Sequence, residues 1–310
     1  MTVGGVHFIP SRETPRPKVR SKVRLALGKW YFCGRRYLVW MANRSRYARY
    51  RPGHSRLPHV CFEHRTPLLR RLANVDMWLQ HNKVVNLRLA VARLDGVVLR
   101  PGETFSFWRL VGRPTRRKGY VEGMVLFNKS FYPGVGGGLC QLSNLIYWMT
   151  LHTPLTVTER WRHSYDYFPD ANRTQPFGSG ATVVYNYIDL QIRNDTDADY
   201  QLVLRVGDTD LEGQWRSVRP PGVRYRVYEA AHRITHEWWG CYVRHNIIRR
   251  ESWTWMTGTL NDEYVTENHA IMVYEPLLPP AQGEDTRPSL EARRGCKGRL
   301  SSGSEPLTMP

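Results

Sequence analysis

The chain has 310 residues, of which 41% are hydrophobic, and it carries a formal net charge of +18. This length is enough for one large domain or two small ones with a buried core. No run of about 18 apolar residues is present, so no transmembrane helix is predicted. The first residues lack the apolar stretch and the small-residue cleavage site of a secretory signal. We therefore expect a cytoplasmic or membrane-peripheral protein.

The positive charge is concentrated near the N-terminus. Between Arg12 and Arg51, counting both, there are thirteen Lys or Arg residues and a single acid, Glu13. A solvated basic face and a segment that binds an anionic partner both fit this composition. The interleaved aromatic side chains are typical of an interfacial helix, and equally of a helix packed on a core. These aromatic residues are Trp30, Tyr31, Phe32, Tyr37 and Trp40.

The five cysteines are widely spaced and include no CxxC pair, so neither a zinc ribbon nor a redox motif is indicated. A chain of this length does not depend on disulfides, and we expect reduced thiols. His232 and His236 are four residues apart, but the Glu of a zinc-binding HExxH helix is missing. The sequence therefore predicts no metal and no other cofactor.

In chain order, the N-terminal third is predicted to be helical. Residues 1–20 are rich in Pro, Arg and Ser and are predicted to be disordered. Apolar positions within 21–43 predict a helix, which a basic loop follows. From Thr66 to Gly96, two apolar stripes with helical spacing predict two further helices.

The remainder is predicted to be mainly strand around one helix. The segment 97–108 contains two extended pieces around a Pro-Gly turn, and 119–138 has the pattern of a hairpin. A helix is predicted from Cys140 to about Leu151. Strands are predicted over 155–162, 181–197 and 200–207, and the strand pattern continues from 213 to 275.

This order of elements predicts an α+β fold, because strands and helices do not alternate regularly. We expect a helical N-terminal third, a central helix that carries Cys140 and packs on an antiparallel or mixed sheet, and a β-rich C-terminal part. The predicted units are a disordered basic tail over 1–20, a helical basic region over 21–80, a core domain over 81–212, a β-rich region over 213–278 and a disordered tail over 279–310.

The stretch PGVGGGLCQLSN, residues 133–144, places a cysteine where a glycine-rich loop becomes a helix. Glycine allows positive φ and lets the backbone approach a ligand closely, and we expect both of Gly138. A helix that begins near Cys140 offers free N–H groups and a dipole, which stabilise a thiolate and can hold an oxyanion. The side-chain amide of Gln141 is a further donor. The alternative is a structural cysteine on a helix whose glycines serve tight packing.

Four motifs occur in order along the chain: PGETFSFWRLVG at 101–112, PGVGGGLCQLSN at 133–144, RHSYDYFP at 162–169 and YIDLQIRNDTD at 187–197. Over roughly residues 84–200, their order and spacing resemble the VanW family, which is named for an accessory protein of vancomycin-resistance gene clusters. The resemblance implies the fold of that family in the core domain, and a link to glycopeptide resistance or peptidoglycan metabolism. For larger wall-targeted relatives it implies L,D-transpeptidase-like acyl transfer through the cysteine that corresponds to Cys140.

A thiol nucleophile needs a base, and His163 is the candidate. His152 lies about 18 Å along the same helix as Cys140 and cannot reach the sulfur. His163 follows the next strand, which can return the chain to Cys140, and it matches the histidine position of the family. Its ordinary pKa suits proton exchange near neutral pH. The alternative is a surface histidine at the end of a strand.

The group that orients the imidazole is left open. Asp166, Asp170 and Asp189 are candidates, although Asp166 points to the opposite face of a strand from His163. Many relatives carry Asp before the Ala-Thr of positions 181–182, whereas this chain has Gly180 there. This departure argues against a complete catalytic triad.

Two residues of the first motif are candidates for substrate binding. Arg109 can hold a peptide carboxylate with two hydrogen bonds, and a plain salt bridge is the alternative. Glu103 is the second candidate, and turn and capping chemistry with Ser106 is its alternative.

Two functional hypotheses from different classes follow. In the first, Cys140 attacks a carbonyl of a peptidoglycan stem peptide and His163 moves the proton. In the second, the chain is a non-catalytic accessory module that binds a cell-wall precursor or a partner protein. The expected partners are peptidoglycan or its precursors, and an anionic membrane surface through the basic segment 12–51. Nucleic-acid binding is not predicted, because only the net charge supports it.

Overall fold

The computed structural model of the chain describes residues 20–50, 55–70, 75–127, 130–167 and 175–276. Within them the helices are α1 (Lys22–Ala42), α2 (Met77–Leu94), α3 (Phe107–Val111) and α4 (Cys140–Thr150), with 3-10 helices at Arg44–Arg46 and Arg116–Lys118. The strands are β1 (His59–Pro67), β2 (Val98–Leu99), β3 (Thr104–Ser106), β4 (Glu122–Phe127), β5 (Ser130–Val135), β6 (Thr156–Glu159), β7 (Tyr165–Asp166), β8 (Gln191–Arg193), β9 (Tyr200–Val206), β10 (Asp210–Ser217), β11 (Val223–His236), β12 (Tyr242–Thr254) and β13 (Leu260–Met272).

This mixture of helix and sheet confirms the predicted α+β class. The predicted tails, 1–20 and 279–310, lie outside the described residues apart from Arg20. The division of the remaining chain into three units stays a prediction.

Four sheets organise the described part of the chain. The strand orders are β1-β10-β9-β2, β3-β8-β6, β4-β5 and β11-β12-β13-β7. Pairing is antiparallel except between β13 and β7. The three long strands β11, β12 and β13 lie together in the last of these sheets, beside a small apolar cluster of Cys241, Val243 and Ile271.

Helix α4 lies at the centre of the main core. Its residues Leu142, Leu145 and Met149 are fully buried. The helix packs against β1 and β10, and Gly213 of β10 permits the close approach, because a Cβ there would lie 2.8 Å from the Met149 sulfur. The central helix that carries the cysteine is therefore packed on an antiparallel sheet.

The described residues of the N-terminal third are less helical than the sequence pattern predicts. Strand β1 lies within the region 21–80 that was predicted to be helical, and among the described residues of 66–96, where two helices were predicted, α2 is the one helix. Among the described strands, β1 lies at a sheet edge and pairs with β10 alone, about 150 residues later in the chain. Such distant pairing leaves little local signal in the sequence.

The predicted strand over 181–197 is mostly irregular. Only β8, Gln191–Arg193, is strand, while Val184 and Ile188 exchange backbone hydrogen bonds of 2.9 and 3.1 Å across a tight turn. The residues before this turn run beside α4 and bond to its side chains. Alternation of apolar residues there reflects packing on a helix instead of a place in a sheet.

Candidate functional site

Cys140 is the first residue of α4, so the predicted helix start is confirmed. The chain enters the helix through Gly136 and Gly138, whose φ angles are +79° and +91°. Residues with a Cβ avoid this region of φ, which explains the glycines on steric grounds. Gly138 also lies on the aliphatic stem of Lys83, where a Cβ would be 2.8 Å from the lysine Cδ.

The glycine turn, residues 136–138, is clamped from two sides. Gly123 of β4 lies directly against it, since a Cβ at that position would be 2.5 Å from the Gly137 carbonyl oxygen. The fully buried Asn86 of α2 donates to the carbonyls of Gly137 (2.9 Å) and Val121 (3.0 Å) and accepts from the Val121 N–H (2.9 Å). These contacts hold the start of α4 rigidly.

The thiol of Cys140 is held in its neutral form. The side chain packs against the main core, and the sulfur donates to the Val183 carbonyl at 3.8 Å. Burial raises the pKa of the Cys140 thiol above its ordinary value. This is the opposite of the lowered pKa expected at a helix start, because the loss of solvation is the largest influence on the thiol.

The segment after Gly180 runs antiparallel to α4 and delivers the carbonyl that the thiol contacts. Ser143 donates to the Ala181 carbonyl (2.6 Å), and the Ala181 N–H donates to the Asn144 amide oxygen (2.7 Å). A Cβ at Gly180 would lie 2.6 Å from that same oxygen. Glycine at this position therefore allows the close approach, and an Asp would have to displace the Asn144 side chain.

His163 lies in a partly buried, aromatic environment. Its ring meets Tyr167 edge-on with centroids 6.1 Å apart, and burial lowers its pKa to about 4. Across the described residues, no hydrogen bond joins the Cys140 thiol to an imidazole. The role of His163 as a base stays a proposal.

The carboxylates considered for orienting the imidazole have other partners. Asp166 accepts a hydrogen bond from Tyr274 (2.7 Å) and lies 3.4 Å from the Arg244 Nε. Asp189 accepts from the Ser106 hydroxyl (2.5 Å) and the Trp108 N–H (3.0 Å). The third candidate, at position 170, lies outside the described residues.

The predicted oxyanion donor Gln141 is engaged elsewhere in this structure. Its amide nitrogen donates to the Thr66 hydroxyl (3.0 Å) and the Pro67 carbonyl (2.9 Å), which ties α4 to β1. Its backbone N–H donates to the Gly138 carbonyl at 3.1 Å. To bind an oxyanion, Gln141 would have to exchange one of these bonds.

The two substrate-binding candidates also have internal partners. The Arg109 guanidinium lies 5.0 Å from the centre of the Tyr47 ring and donates to the Trp40 carbonyl (3.4 Å). Glu103 accepts from the Arg100 N–H at 3.0 Å and closes the turn of the first motif. A role in the turn is the alternative to substrate binding that the sequence also allows for Glu103.

Lys83 is a chemically distinctive residue that the sequence analysis did not identify. It is buried, its ammonium donates to the Gln80 amide oxygen (2.7 Å), and the described residues include no carboxylate in a salt bridge with it. Burial, with a contribution from Arg70, lowers the pKa of Lys83 to about 8. The spacing of residues in the sequence indicates this burial, because Lys83 lies on the buried stripe of α2, four residues from Leu79 and from Leu87.

Two cavities lie away from Cys140. One, of 470 Å³, is bordered by residues including Tyr47, Thr104 and Arg193. The other, of 430 Å³, is bordered by Cys61, Phe62, His152, Tyr225 and other residues.

The cysteines are not all reduced. Cys33, Cys61 and Cys140 are free thiols, whereas Cys241 is disulfide-bonded, so the expectation of reduced thiols is wrong for Cys241. Burial raises the pKa of Cys61 to about 11.

Together these features define an α+β domain in which a clamped glycine turn presents one cysteine at the start of a buried helix. The family model described as "VanW like protein" matches residues 82–216. The chain is 38% identical over 190 residues to "Vancomycin B-type resistance protein VanW" of Enterococcus faecalis, which covers 61% of this chain and 69% of that protein. The chain therefore belongs to the VanW family, as its motifs indicate.

A second relative is more distant. The chain is 33% identical over 112 residues to "Uncharacterized protein YoaR" of Bacillus subtilis, which covers 35% of this chain and 34% of that protein. No solved structure matches the chain. The family-matched region contains Lys83, Cys140 and His163.

Proposed function

We propose that this protein contributes to vancomycin resistance by acting on peptidoglycan stem peptides or their precursors, with Cys140 as the nucleophile of an acyl transfer. The similarity to a vancomycin resistance protein supports the biological context. The observation that carries the chemical part is the position of Cys140, which is the first residue of α4 behind a glycine turn clamped by Asn86 and Gly123. A rigid turn holds a nucleophile at low cost in reorganisation.

The reaction begins with the sulfur of Cys140 attacking a carbonyl carbon of the stem peptide. A C–S bond forms, the C–N bond breaks, and the leaving amine takes up the proton that the thiol gives away. An acceptor amine or water then attacks the thioester and releases the sulfur. N–H groups at the start of α4, from Gly138 onward, and the Gln141 amide are the proposed donors to the oxyanion.

The proton of the thiol has to be removed when substrate binds, because burial keeps Cys140 neutral at rest. His163 is the proposed base. Its pKa of about 4 leaves it unprotonated at neutral pH, which is the form that accepts a proton. Lys83 is the competing acceptor, since its stem lies against Gly138 and its pKa is near 8.

The two bases differ in the pH dependence that they impose. With His163 as the base, kcat/KM is level between about pH 5 and pH 8, because the imidazole is unprotonated throughout. With Lys83 as the base, kcat/KM rises through about pH 8 as the ammonium loses its proton. A pH profile on the full chain therefore selects one of them.

The proposal is tested by incubating the full chain with synthetic stem peptides and measuring the intact protein by mass spectrometry. We expect a thioester adduct on the parent protein and on Cys61→Ala, and none on Cys140→Ala. Cys61 is the matched control, because it is also a free, half-buried thiol with a raised pKa. An adduct that persists in Cys140→Ala, or its absence from the parent with every stem peptide, contradicts acyl transfer.

A second function, binding without turnover, is favoured by one observation. The Cys140 sulfur donates to the Val183 carbonyl and has no imidazole partner among the described residues, as expected of a structural thiol. An accessory module would bind a cell-wall precursor or a partner protein equally well with alanine at this position. Unchanged precursor binding and unchanged glycopeptide tolerance in Cys140→Ala cells would establish this function over catalysis.

A further inference from the structure

Helix α1 has two apolar faces, of which only one is packed. On the inner face, Trp40 is buried, Phe32 stacks on Tyr187, and Tyr37 shares a 2.6 Å hydrogen bond with Tyr185. These contacts fix the rotation of the helix on the domain.

An ion pair strengthens this attachment. Arg36 binds Glu159 at 2.5 Å and donates to the Tyr187 carbonyl at 3.1 Å. Glu159 in turn accepts from the backbone N–H of the fully buried Asp189 at 3.2 Å. The opposite face of α1 is thereby held away from the core.

That opposite side, here called the outer face of α1, consists of large apolar side chains in contact with solvent. With about 100° of rotation per residue, they fall within a single arc of about 100° along the whole helix. Their exposed fractions are far above those of a packed side chain: Val23 69%, Leu27 65%, Trp30 83%, Tyr31 62%, Leu38 66% and Met41 72%.

The charge around the outer face has one sign. Residues 20–50 contain nine Lys or Arg residues and no Asp or Glu. By helical geometry, the exposed Arg24 and Arg35 border the apolar arc on one side. An apolar stripe with tryptophan and tyrosine, bordered by cations on one side, has the chemistry of a helix that lies in the surface of an anionic bilayer.

Other occupants fit this face less well. A second copy of the chain would bring two segments of like charge together, and the repulsion opposes such a dimer. Nucleic acid would use the cations but would leave the apolar stripe in water. A membrane-spanning position of α1 is also not indicated, since none of the helices in the described ranges is long and apolar enough to cross a bilayer.

We propose that the outer face of α1 binds the surface of an anionic lipid bilayer, with the helix axis parallel to the membrane. The side chains Trp30, Tyr31 and Leu38 enter the boundary between headgroups and acyl chains, while the surrounding cations pair with anionic headgroups. This docking is independent of the acyl transfer proposed above, because it involves neither Cys140 nor the glycine turn.

The test is co-sedimentation of the full chain with vesicles made of phosphatidylglycerol and phosphatidylcholine in equal parts. We expect binding by the parent, and affinity at least roughly tenfold weaker for the double variant W30D/L38D and for vesicles of phosphatidylcholine alone. The matched control is W238D/M256D, which places the same two charges at side chains 75% and 94% exposed elsewhere. It should keep the parent affinity within about twofold.

Several results would overturn the proposal. The first is a parent protein that does not bind the vesicles. The second is W30D/L38D binding as tightly as the parent. The third is W238D/M256D losing as much affinity as W30D/L38D does. Parent protein that binds a short DNA duplex or sediments as a dimer, but does not bind vesicles, would assign the face to nucleic acid or to a second copy. Thioester formation on a soluble stem peptide should be unchanged in W30D/L38D, so failure of one proposal is distinguishable from failure of the other.

Discussion

The surroundings of the glycine turn and the outer face of α1 depart in opposite ways from the usual pattern of buried apolar and exposed polar side chains. Around the turn, polar groups are buried: Lys83 without an acidic partner in the described structure, and Asn86 without any exposure. On the outer face, Trp30 and Met41 are among the most exposed large apolar side chains described. Burying charge and exposing apolar surface both cost stability. Both regions therefore tolerate an unfavourable burial pattern, and this shared departure is the basis of the two proposals, a reacting peptide at the glycine turn and a membrane surface at α1.

Replacing Gly137 by Ala should have the largest effect on stability. The new Cβ would collide with the backbone of Gly123, which cannot move aside as a flexible side chain would. We expect a loss of about 3 kcal/mol or more in the free energy of unfolding, measured by denaturant titration.

Gly34→Ala, on helix α1, is the control for that substitution. Gly34 lies on α1 with nothing within 4 Å of an added Cβ. We expect stabilisation of about 0.5–1 kcal/mol, since alanine is the better helix former. Equal costs at the two positions would show that the glycine turn is not clamped.

Lys83→Met should separate function from stability. The lowered pKa of Lys83 means that the folded state disfavours its charge, so replacing it should raise stability at pH 7 by on the order of 1–3 kcal/mol. Thioester formation should nevertheless fall at least roughly tenfold if Lys83 serves the reaction.

The pH dependence of stability provides a second readout for Lys83. The parent should gain stability as the pH rises from about 8 toward the unfolded pKa of 10.5, because the folded state releases its proton first. Lys83→Met should lack this gain. Strong destabilisation by Lys83→Met would instead assign the residue a structural role.

Thiol labelling tests whether Cys140 is neutral at rest. Its raised pKa predicts alkylation at neutral pH at least roughly tenfold slower than that of the unfolded chain, and a rate that increases with pH. Cys61, with a pKa of about 11, should behave similarly. Stem peptide should change the rate at Cys140 alone. Fast labelling of Cys140 without substrate would show that the thiol is already ionised.

Trp30→Ser should have the smallest effect on folding. Its side chain lies on the outer face of α1, so its removal creates no cavity, and we expect a change within about 0.5 kcal/mol by thermal denaturation. A loss of several kcal/mol would mean that the outer face packs against the protein and is not available to a membrane.

Local patterns predicted the elements whose signals are local. The start of α4 at Cys140 follows from glycines before a helical apolar repeat, and the hairpin of β4 and β5 follows from alternation around a turn. Strand β1 was missed because its partner β10 is distant in the chain. The segment before β8 was predicted as strand because packing against a helix produces the same alternation.

The candidate site was predictable in its residues but not in its electrostatics. The position of Cys140 at a helix start could be inferred, and the family resemblance pointed to His163. Their pKa values could not be inferred, since both are moved mainly by burial. Lys83 was overlooked because a charged residue on an apolar stripe usually reaches solvent with its long stem.

Residue type and short-range spacing are enough to assign the family, the α+β class, the helix start at Cys140 and the basic, aromatic character of α1. The neutral thiol, the burial of Lys83 and the exposed outer face of α1 become visible only once the chain is folded. Solvation is the physical reason: it depends on which atoms from distant segments surround a group, and Val183 reaches Cys140 from 43 residues away.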